Sequence, residues 1–302
     1  MNNKRRLFST LLCVAALTAG LFVSGCGSDK AGGIGSVVSS VVDGGSDEKA
    51  AAKLNTLIDA TNRFNGDNAT WGQNYADSLA KLKGGFQEGA IGRQPHYDTL
   101  KEALEQSKKE GSTFKEVDTE RDNVLNVLNE LVPTFKDLKA YDDSKAYMND
   151  GGAKGKELAA KYVAQVEKFD AAYAKFNDAL NKANTEQTKK QIEKLKKDGK
   201  KGYAAAMEST LRLTTLVEKV EKSPKNADKQ AVEKELNEIQ TLLKSINNDR
   251  GEVLVNSYNS VVGSVRQVLN DANENNLNDM IENFNNYIES YNNTTPDQFD
   301  SK

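Results

Sequence analysis

Apolar residues recur at alternating steps of three and four over most of this 302-residue chain, from about residue 47 to about residue 295. One such stripe contains Leu158, Tyr162, Val166, Phe169 and Tyr173. This spacing places the apolar side chains on one face of a helix, which is buried while the charged face stays in water. Alternating β-branched runs between tight turns, the signal of strands, are nearly absent. The sequence therefore predicts an all-α fold, built as an elongated antiparallel helical bundle.

Interruptions of this pattern predict where helices end. The pattern pauses near Gly66, fades over residues 196–202 and stops at Ser223 and Pro224. Pro133 interrupts another stripe and is expected to kink or split its helix, because proline has no backbone N–H to donate.

The first 26 residues have the order of a bacterial lipoprotein signal. Three basic residues at positions 4–6 precede a run without charge at 7–22, and Val-Ser-Gly-Cys follows at 23–26. An aliphatic residue, two small residues and a cysteine form a lipobox, in which the thiol accepts a diacylglyceryl group. We therefore expect cleavage between Gly25 and Cys26, and lipidation of Cys26 with acyl chains such as palmitate. The alternative is an ordinary secretory signal with a chance cysteine.

The predicted domain layout has four parts. They are a signal peptide at 1–25, the lipidated cysteine and a Gly/Ser-rich tether at 26–46, a helical domain at 47–295 and a tail at 296–302. The tether is expected to reach about 25 Å as a flexible chain. The Asn-Asp-Gly-Gly sequence at 149–152 marks a candidate boundary, either between two domains or only between two helices.

Composition narrows the chemistry that the mature chain can perform. Removal of the signal takes away Cys13, and lipidation consumes Cys26, so no free thiol remains for catalysis or for a Cys-ligated zinc or iron–sulfur site. The mature chain has 38 basic and 44 acidic residues, a formal net charge of −6. Neither a cofactor nor a nucleic-acid partner is expected. The protein is expected outside the cytoplasm on a bacterial membrane, and on the outer membrane of a Gram-negative cell because Gly27 follows Cys26.

The start of the predicted helical domain carries a family resemblance. Lys53, Asn55, Ile58 and Asn62 fit a K-x-N-x-x-I-x-x-x-N opening that follows the lipobox and tether. In this respect the chain resembles the YiiG-like lipoproteins, a bacterial family of unknown function, over about residues 48–292. The resemblance implies a helical body in the cell envelope and brings no established catalytic residues.

Three residues are candidates for contact with a partner or ligand. Trp71 is the only tryptophan and, with Tyr75 and Phe86, could line a groove for a sugar or peptide, although aromatic residues at helical spacing more often form core. His96 is the only histidine and could titrate near neutral pH, although a surface histidine is the simpler interpretation. A second histidine for a zinc site and a G-x-S-x-G sequence are both missing, and we expect no catalytic residues and no metal.

Seven lysines between residues 189 and 201 form one basic cluster. Such a cluster suits anionic lipid headgroups, lipopolysaccharide or teichoic acid. Glu186 and Glu193 dilute its charge, and the favoured interpretation is a solvated connection between helices.

The sequence thus favours a membrane-anchored, non-enzymatic binding or scaffolding module. Its partners would be the membrane, through the N-terminal lipid, and an envelope protein or glycan. One alternative is a helical bundle that binds a small molecule or glycan between its helices. A further alternative is an envelope hydrolase that uses paired carboxylates.

Overall fold

A computed structural model describes residues 46–69, 72–92, 94–111 and 114–301. The predicted signal peptide, Cys26, the tether up to residue 45 and Trp71 lie outside the described residues. Those that are described form eleven α-helices and no strand, which confirms the all-α prediction. No helix among them is both long enough and apolar enough to cross a bilayer.

The helices are numbered in chain order, and a 3₁₀ helix at Pro224–Asn226 lies between the seventh and the eighth. Their bounds are α1 (Ser46–Ala69), α2 (Gly72–Lys83), α3 (Tyr97–Lys109), α4 (Lys115–Asp143), α5 (Tyr147–Asp150), α6 (Ala153–Lys197), α7 (Lys201–Lys222), α8 (Lys229–Lys244), α9 (Asp249–Asn270), α10 (Glu274–Asn292) and α11 (Pro296–Phe299).

Two predicted breaks coincide with helix ends, and two do not. The fading pattern at 196–202 contains the end of α6 and the start of α7, and α7 ends one residue before Ser223. In contrast, α1 continues through Gly66, and α4 continues unbroken through Pro133.

Burial on both sides of Pro133 explains why α4 is not split. The missing N–H of a proline inside a helix costs about 3 kcal/mol. The flanking Leu131 and Leu138 are fully buried, and burying each leucine contributes about 1.5–3 kcal/mol. The Thr134 hydroxyl also donates a hydrogen bond to the carbonyl oxygen of Glu130 at 2.9 Å. Tertiary packing therefore outweighs the local cost of the proline.

The described chain divides into two compact units, and the division lies between Ala183 and Asn184, inside α6. The candidate boundary at 149–152 lies within the first unit. Side chains around that segment pack inside the unit, since a Cβ on Gly155 would lie 2.6 Å from ring atoms of both Phe86 and Tyr141.

The first unit contains α1 to α5 and the part of α6 up to Ala183. Helix α3 packs against both α1 and α4. Aromatic rings fill the space between helices: Phe64 of α1 meets Phe169 and Tyr173 of α6 edge-on, with ring centroids 5.9 and 5.3 Å apart. Tyr97 of α3 meets Phe169 at 4.9 Å.

The second unit is a four-helix bundle of α7 to α10. Each helix packs against the next, and α10 returns to α7, which closes the ring. The short connections make consecutive helices antiparallel. Its core includes Val217, Leu236, Val265 and Phe284, each 2% exposed or less.

The last described residues belong to this second unit. Helix α11 packs on α7 and α9, and its Phe299 is 2% exposed. The Phe299 ring stacks between Tyr203 and Tyr291, at centroid distances of 5.8 and 6.0 Å. Residues 296–301, expected to form a tail, are therefore folded against the bundle.

Candidate functional site

The core of the first unit contains a cluster of three tyrosines beneath the connection between α2 and α3. The hydroxyl oxygens of Tyr75 and Tyr97 are 2.8 Å apart, and the Tyr162 hydroxyl donates to the side-chain oxygen of Gln94. The three side chains come from α2, α3 and α6, and none is more than 6% exposed. Burial raises the pKa of all three phenols, so they stay protonated and act as hydrogen-bond donors at neutral pH.

Asp170 lies near this cluster on α6. Burial raises the pKa of its carboxyl to about 6, the Lys83 ammonium opposes that rise and Glu167 adds to it. Lys83 also forms an ion pair with Glu167 at 2.9 Å. The negative charge of Asp170 in turn helps to raise the pKa of the three phenols. The carboxyl therefore changes its charge near pH 6, next to a buried hydrogen-bonded group.

A cleft of about 360 Å³, open to solvent, lies on α2 and the loop that follows it. The loop is tied to the helix by Ser78, whose hydroxyl donates to the carbonyl oxygen of Ala90 at 2.7 Å and accepts from the N–H of Gly92 at 2.9 Å. The described residues that line the cleft are Asn74, Asp77, Ser78, Lys81, Gly89, Ala90 and Gly92. These donors and acceptors suit a hydroxyl-rich or otherwise polar ligand.

The sequence-derived candidates lie in different environments. Tyr75 is 6% exposed and contributes to the core, with its hydroxyl on Tyr97. His96 is partly exposed and occupies the position before α3, where its side chain makes no capping bond to the helix. Trp71 lies outside the described residues.

Sequence reasoning did not single out Tyr97, Tyr162 or Asp170 as members of one cluster. Tyr97 lies on α3, and Tyr162 and Asp170 lie on α6, at least 65 residues further along the chain. Periodicity carries no information about which apolar stripes pack together. The one local feature of the sequence that pointed to this cluster was Asp170, an acidic residue beside the apolar stripe that contains Phe169 and Tyr173.

The glycine-rich start of α6 binds a carboxylate of the chain itself, that of Asp150. Asp150 accepts hydrogen bonds from the N–H of Gly152 at 2.9 Å, the N–H of Lys154 at 3.1 Å and the hydroxyl of Tyr141 at 2.5 Å. These bonds, with Tyr141 the strongest influence, lower the pKa of Asp150. The helix N-terminus is therefore capped internally.

The described part of the chain offers no cluster of metal ligands, because no group of three or more His, Cys, Asp or Glu side chains there is placed to hold an ion.

Comparison with known proteins gives a family match. A family model described as "Protein of unknown function (DUF3829)" matches residues 48–283, which include most of both units. No curated protein matches the chain, and no solved structure matches it.

Proposed function

The chain belongs to the DUF3829 family, whose function is unknown, and we propose that it is a bacterial envelope lipoprotein acting as a non-enzymatic binding or scaffolding module. The observation that carries this proposal is the order of residues 1–26: a basic start, a run without charge, and Val-Ser-Gly-Cys. The resemblance to YiiG-like lipoproteins supports the same placement.

The helical body suits a scaffolding role. It begins directly after the Gly/Ser-rich segment, so a lipid on Cys26 would hold both units close to a membrane and raise their local concentration there. Each unit buries its apolar stripes in its own core and leaves polar helix faces outward. Such faces can dock the helices or extended segments of a partner.

Lipidation is tested by metabolic labelling with palmitate in a bacterial host. The wild-type chain is expected to incorporate label and partition with membranes, and Cys26→Ala is expected to lose both properties. Cys13→Ala is the matched control, because it removes the other cysteine from the signal and leaves the acceptor thiol in place. Equal labelling of wild type and Cys26→Ala would overturn the lipoprotein proposal.

Scaffolding is tested by in-cell crosslinking and affinity capture of the wild-type chain beside Cys26→Ala. A recurrent envelope protein, captured less efficiently without the anchor, would support the proposal, and the crosslinked peptides would identify the docking helix. Capture of no protein above background in either form would contradict it.

The polar cleft favours one second candidate, a small-molecule or glycan-binding function. Its volume of about 360 Å³ falls within the range of ligand sites, and Asn74, Asp77 and Lys81 offer polar contacts. Titration of soluble peptidoglycan fragments and oligosaccharides, followed by Trp71 fluorescence, tests this function, with Asn74→Ala as the cleft variant. Unaltered fluorescence across the panel would count against it, and release of new sugar ends would instead favour the hydrolase.

A further inference from the structure

One short segment concentrates the positive charge of the chain. Residues 189–201 contain seven lysines and two acidic residues, a formal charge of +5, whereas the predicted mature chain as a whole has −6. All seven lysines are exposed. We call this segment the lysine cluster; its lysines are Lys189, Lys190, Lys194, Lys196, Lys197, Lys200 and Lys201.

The last turns of α6 direct part of the cluster away from the protein. Thr188 and Ile192 are 2% and 4% exposed and define the inner face of the helix. At about 100° per residue, Lys190, Lys194 and Lys197 lie on the opposite face. Three ammonium groups on one outer face can therefore approach a surface together.

The start of α7 adds lysines at positions that its own helix disfavours. Lys200 is the N-cap of α7 and Lys201 its first residue, where the positive end of the helix dipole repels cations. Carboxylates from the C-terminal segment offset this repulsion: Asp297 pairs with Lys200 at 3.3 Å, and Asp300 accepts from the N–H of Gly202 at 2.6 Å. The dipole of α7 by itself thus does not favour lysine at either position, and the ion pair with Asp297 involves only Lys200.

Ion pairs inside the protein use only part of the cluster. Lys196 pairs with Glu208 at 2.9 Å and Glu193 at 3.4 Å. Among the described residues, no carboxylate lies within 4 Å of the ammonium groups of four other lysines in the cluster, namely Lys189, Lys190, Lys197 and Lys201. Their charge is available to an external anion.

We propose that the lysine cluster binds the anionic phosphate headgroups of the membrane on which the chain is anchored. This inference rests on the proposed function, because a lipid on Cys26 would keep the cluster close to a bilayer. Each lysine near an anionic surface strengthens binding by about fivefold. The cluster would act as a second membrane signal beside the acyl chains.

The chemistry of the cluster favours a headgroup surface over a specific soluble anion. It contains lysine and no arginine, and lysine presents a compact hydrated charge, whereas arginine provides the fork that clamps a single phosphate. The exposed lysines are spread along the end of α6 and the start of α7, an arrangement that suits the distributed negative charge of a headgroup surface.

The test uses residues 27–302 without any acyl group, a chain that contains every described residue. Co-sedimentation compares vesicles of phosphatidylglycerol mixed with phosphatidylcholine against vesicles of phosphatidylcholine alone. Wild type is expected to bind only the anionic vesicles, and raised salt is expected to release it. A variant with Lys189, Lys190, Lys197 and Lys201 changed to Gln is expected to bind at least about 100-fold more weakly, and it leaves the ion pairs of Lys196 and Lys200 intact.

The matched control changes the same number of charges on the N-terminal part of α6. Its four substitutions replace exposed lysines by Gln at Lys156, Lys161, Lys168 and Lys175, and binding is expected to stay within about twofold of wild type. Circular dichroism checks that both variants are folded.

Three results would overturn the proposal: equal binding to both vesicle types, equal loss in the two variants, or retention on polyphosphate without vesicle binding. The last result would assign the cluster to a soluble polyanion. Palmitate labelling tests the lipidation of Cys26 separately. Failure of the lysine-cluster proposal can therefore be distinguished from failure of the proposed lipoprotein function.

Discussion

The carboxylate of Asp300 caps the first turn of α7, with its Oδ1 atom 2.6 Å from the backbone nitrogen of Gly202. Its second oxygen lies 3.4 Å from the nitrogen of Tyr203. The side chain of Asn248, between α8 and α9, donates to the carbonyl oxygens of the same C-terminal segment at 3.0–3.1 Å. Residues 296–301 therefore connect two helix starts of the second unit.

Loss of this cap is expected to destabilise the protein. Asp300→Ala removes the acceptor for two N–H groups and should lower the free energy of unfolding by about 1 kcal/mol. Asp297→Ala is the matched control, because that side chain is 90% exposed and its ion pair with Lys200 should contribute about 0.5 kcal/mol or less. Urea denaturation measures the free energy of unfolding of both variants. Equal losses of stability in Asp300→Ala and Asp297→Ala would contradict a capping role for Asp300.

Gly202 is expected to tolerate no side chain. A Cβ at this position would overlap the carbonyl oxygen of Phe299, so Gly202→Ala must displace the C-terminal segment and should cost about 1–3 kcal/mol. Gly263, inside α9, has open space around its Cβ position, and Gly263→Ala should instead stabilise by about 0.5–1 kcal/mol. Limited proteolysis of the C-terminus, beside urea denaturation, should detect the displacement only in Gly202→Ala. Destabilisation by both substitutions would show that helix context, and not the close approach, decides the effect.

Asp170 is expected to make the first unit less stable as the pH rises. Its folded pKa of about 6 lies above the ordinary value, so the folded chain binds the proton more tightly than the unfolded chain. The stabilising contribution is fully present below the ordinary value of 3.8 and is lost as the pH rises from there through 6. Asp170→Asn removes this dependence and should be more stable than wild type at pH 7 by about 1–3 kcal/mol.

The measurement for Asp170 is urea denaturation of wild type and Asp170→Asn from pH 4 to pH 7. The difference in the free energy of unfolding between wild type and Asp170→Asn should grow with pH. Asp178→Asn, an exposed change on the same helix, is the control and should run parallel to wild type. If the free energy of unfolding of Asp170→Asn changed with pH in the same way as that of wild type, the expected titration of Asp170 would be refuted.

Tyr75 and Tyr97 are expected to be energetically coupled. Their hydroxyls are 2.8 Å apart in the core, so removing one leaves the other without this partner and should cost about 1–3 kcal/mol. The double variant, with Phe at both positions, should cost less than the sum of the single variants by about 0.5–1.5 kcal/mol. The free energies of unfolding of wild type, the two single variants and the double variant measure the coupling. If the effects of the two single substitutions simply added in the double variant, the hydrogen bond would contribute no net stability.

Local features of the sequence accounted for the helices and several of their ends. The spacing of apolar residues predicted helices on both sides of residues 196–202, and Pro224 follows the end of α7. The same local rules placed the first break near Gly66, whereas α1 ends at Ala69, and they left open whether Pro133 kinks or splits α4, because each describes the intrinsic preference of a few residues. In α4, the burial of leucines around Pro133 outweighs that preference.

The sequence by itself determined that this chain is all-α, and it supplied the N-terminal pattern on which the lipoprotein proposal depends. Both are encoded within one or two helical turns or one short motif. Only the tertiary structure decided that the two units divide inside α6. It also decided that Phe299 and Asp300 pack against the helices of the second unit. Finally, it brought tyrosines from α2, α3 and α6 together near Asp170. These outcomes depend on which helix faces pack together and in what register, and a stripe of apolar residues specifies a buried face without specifying its partner.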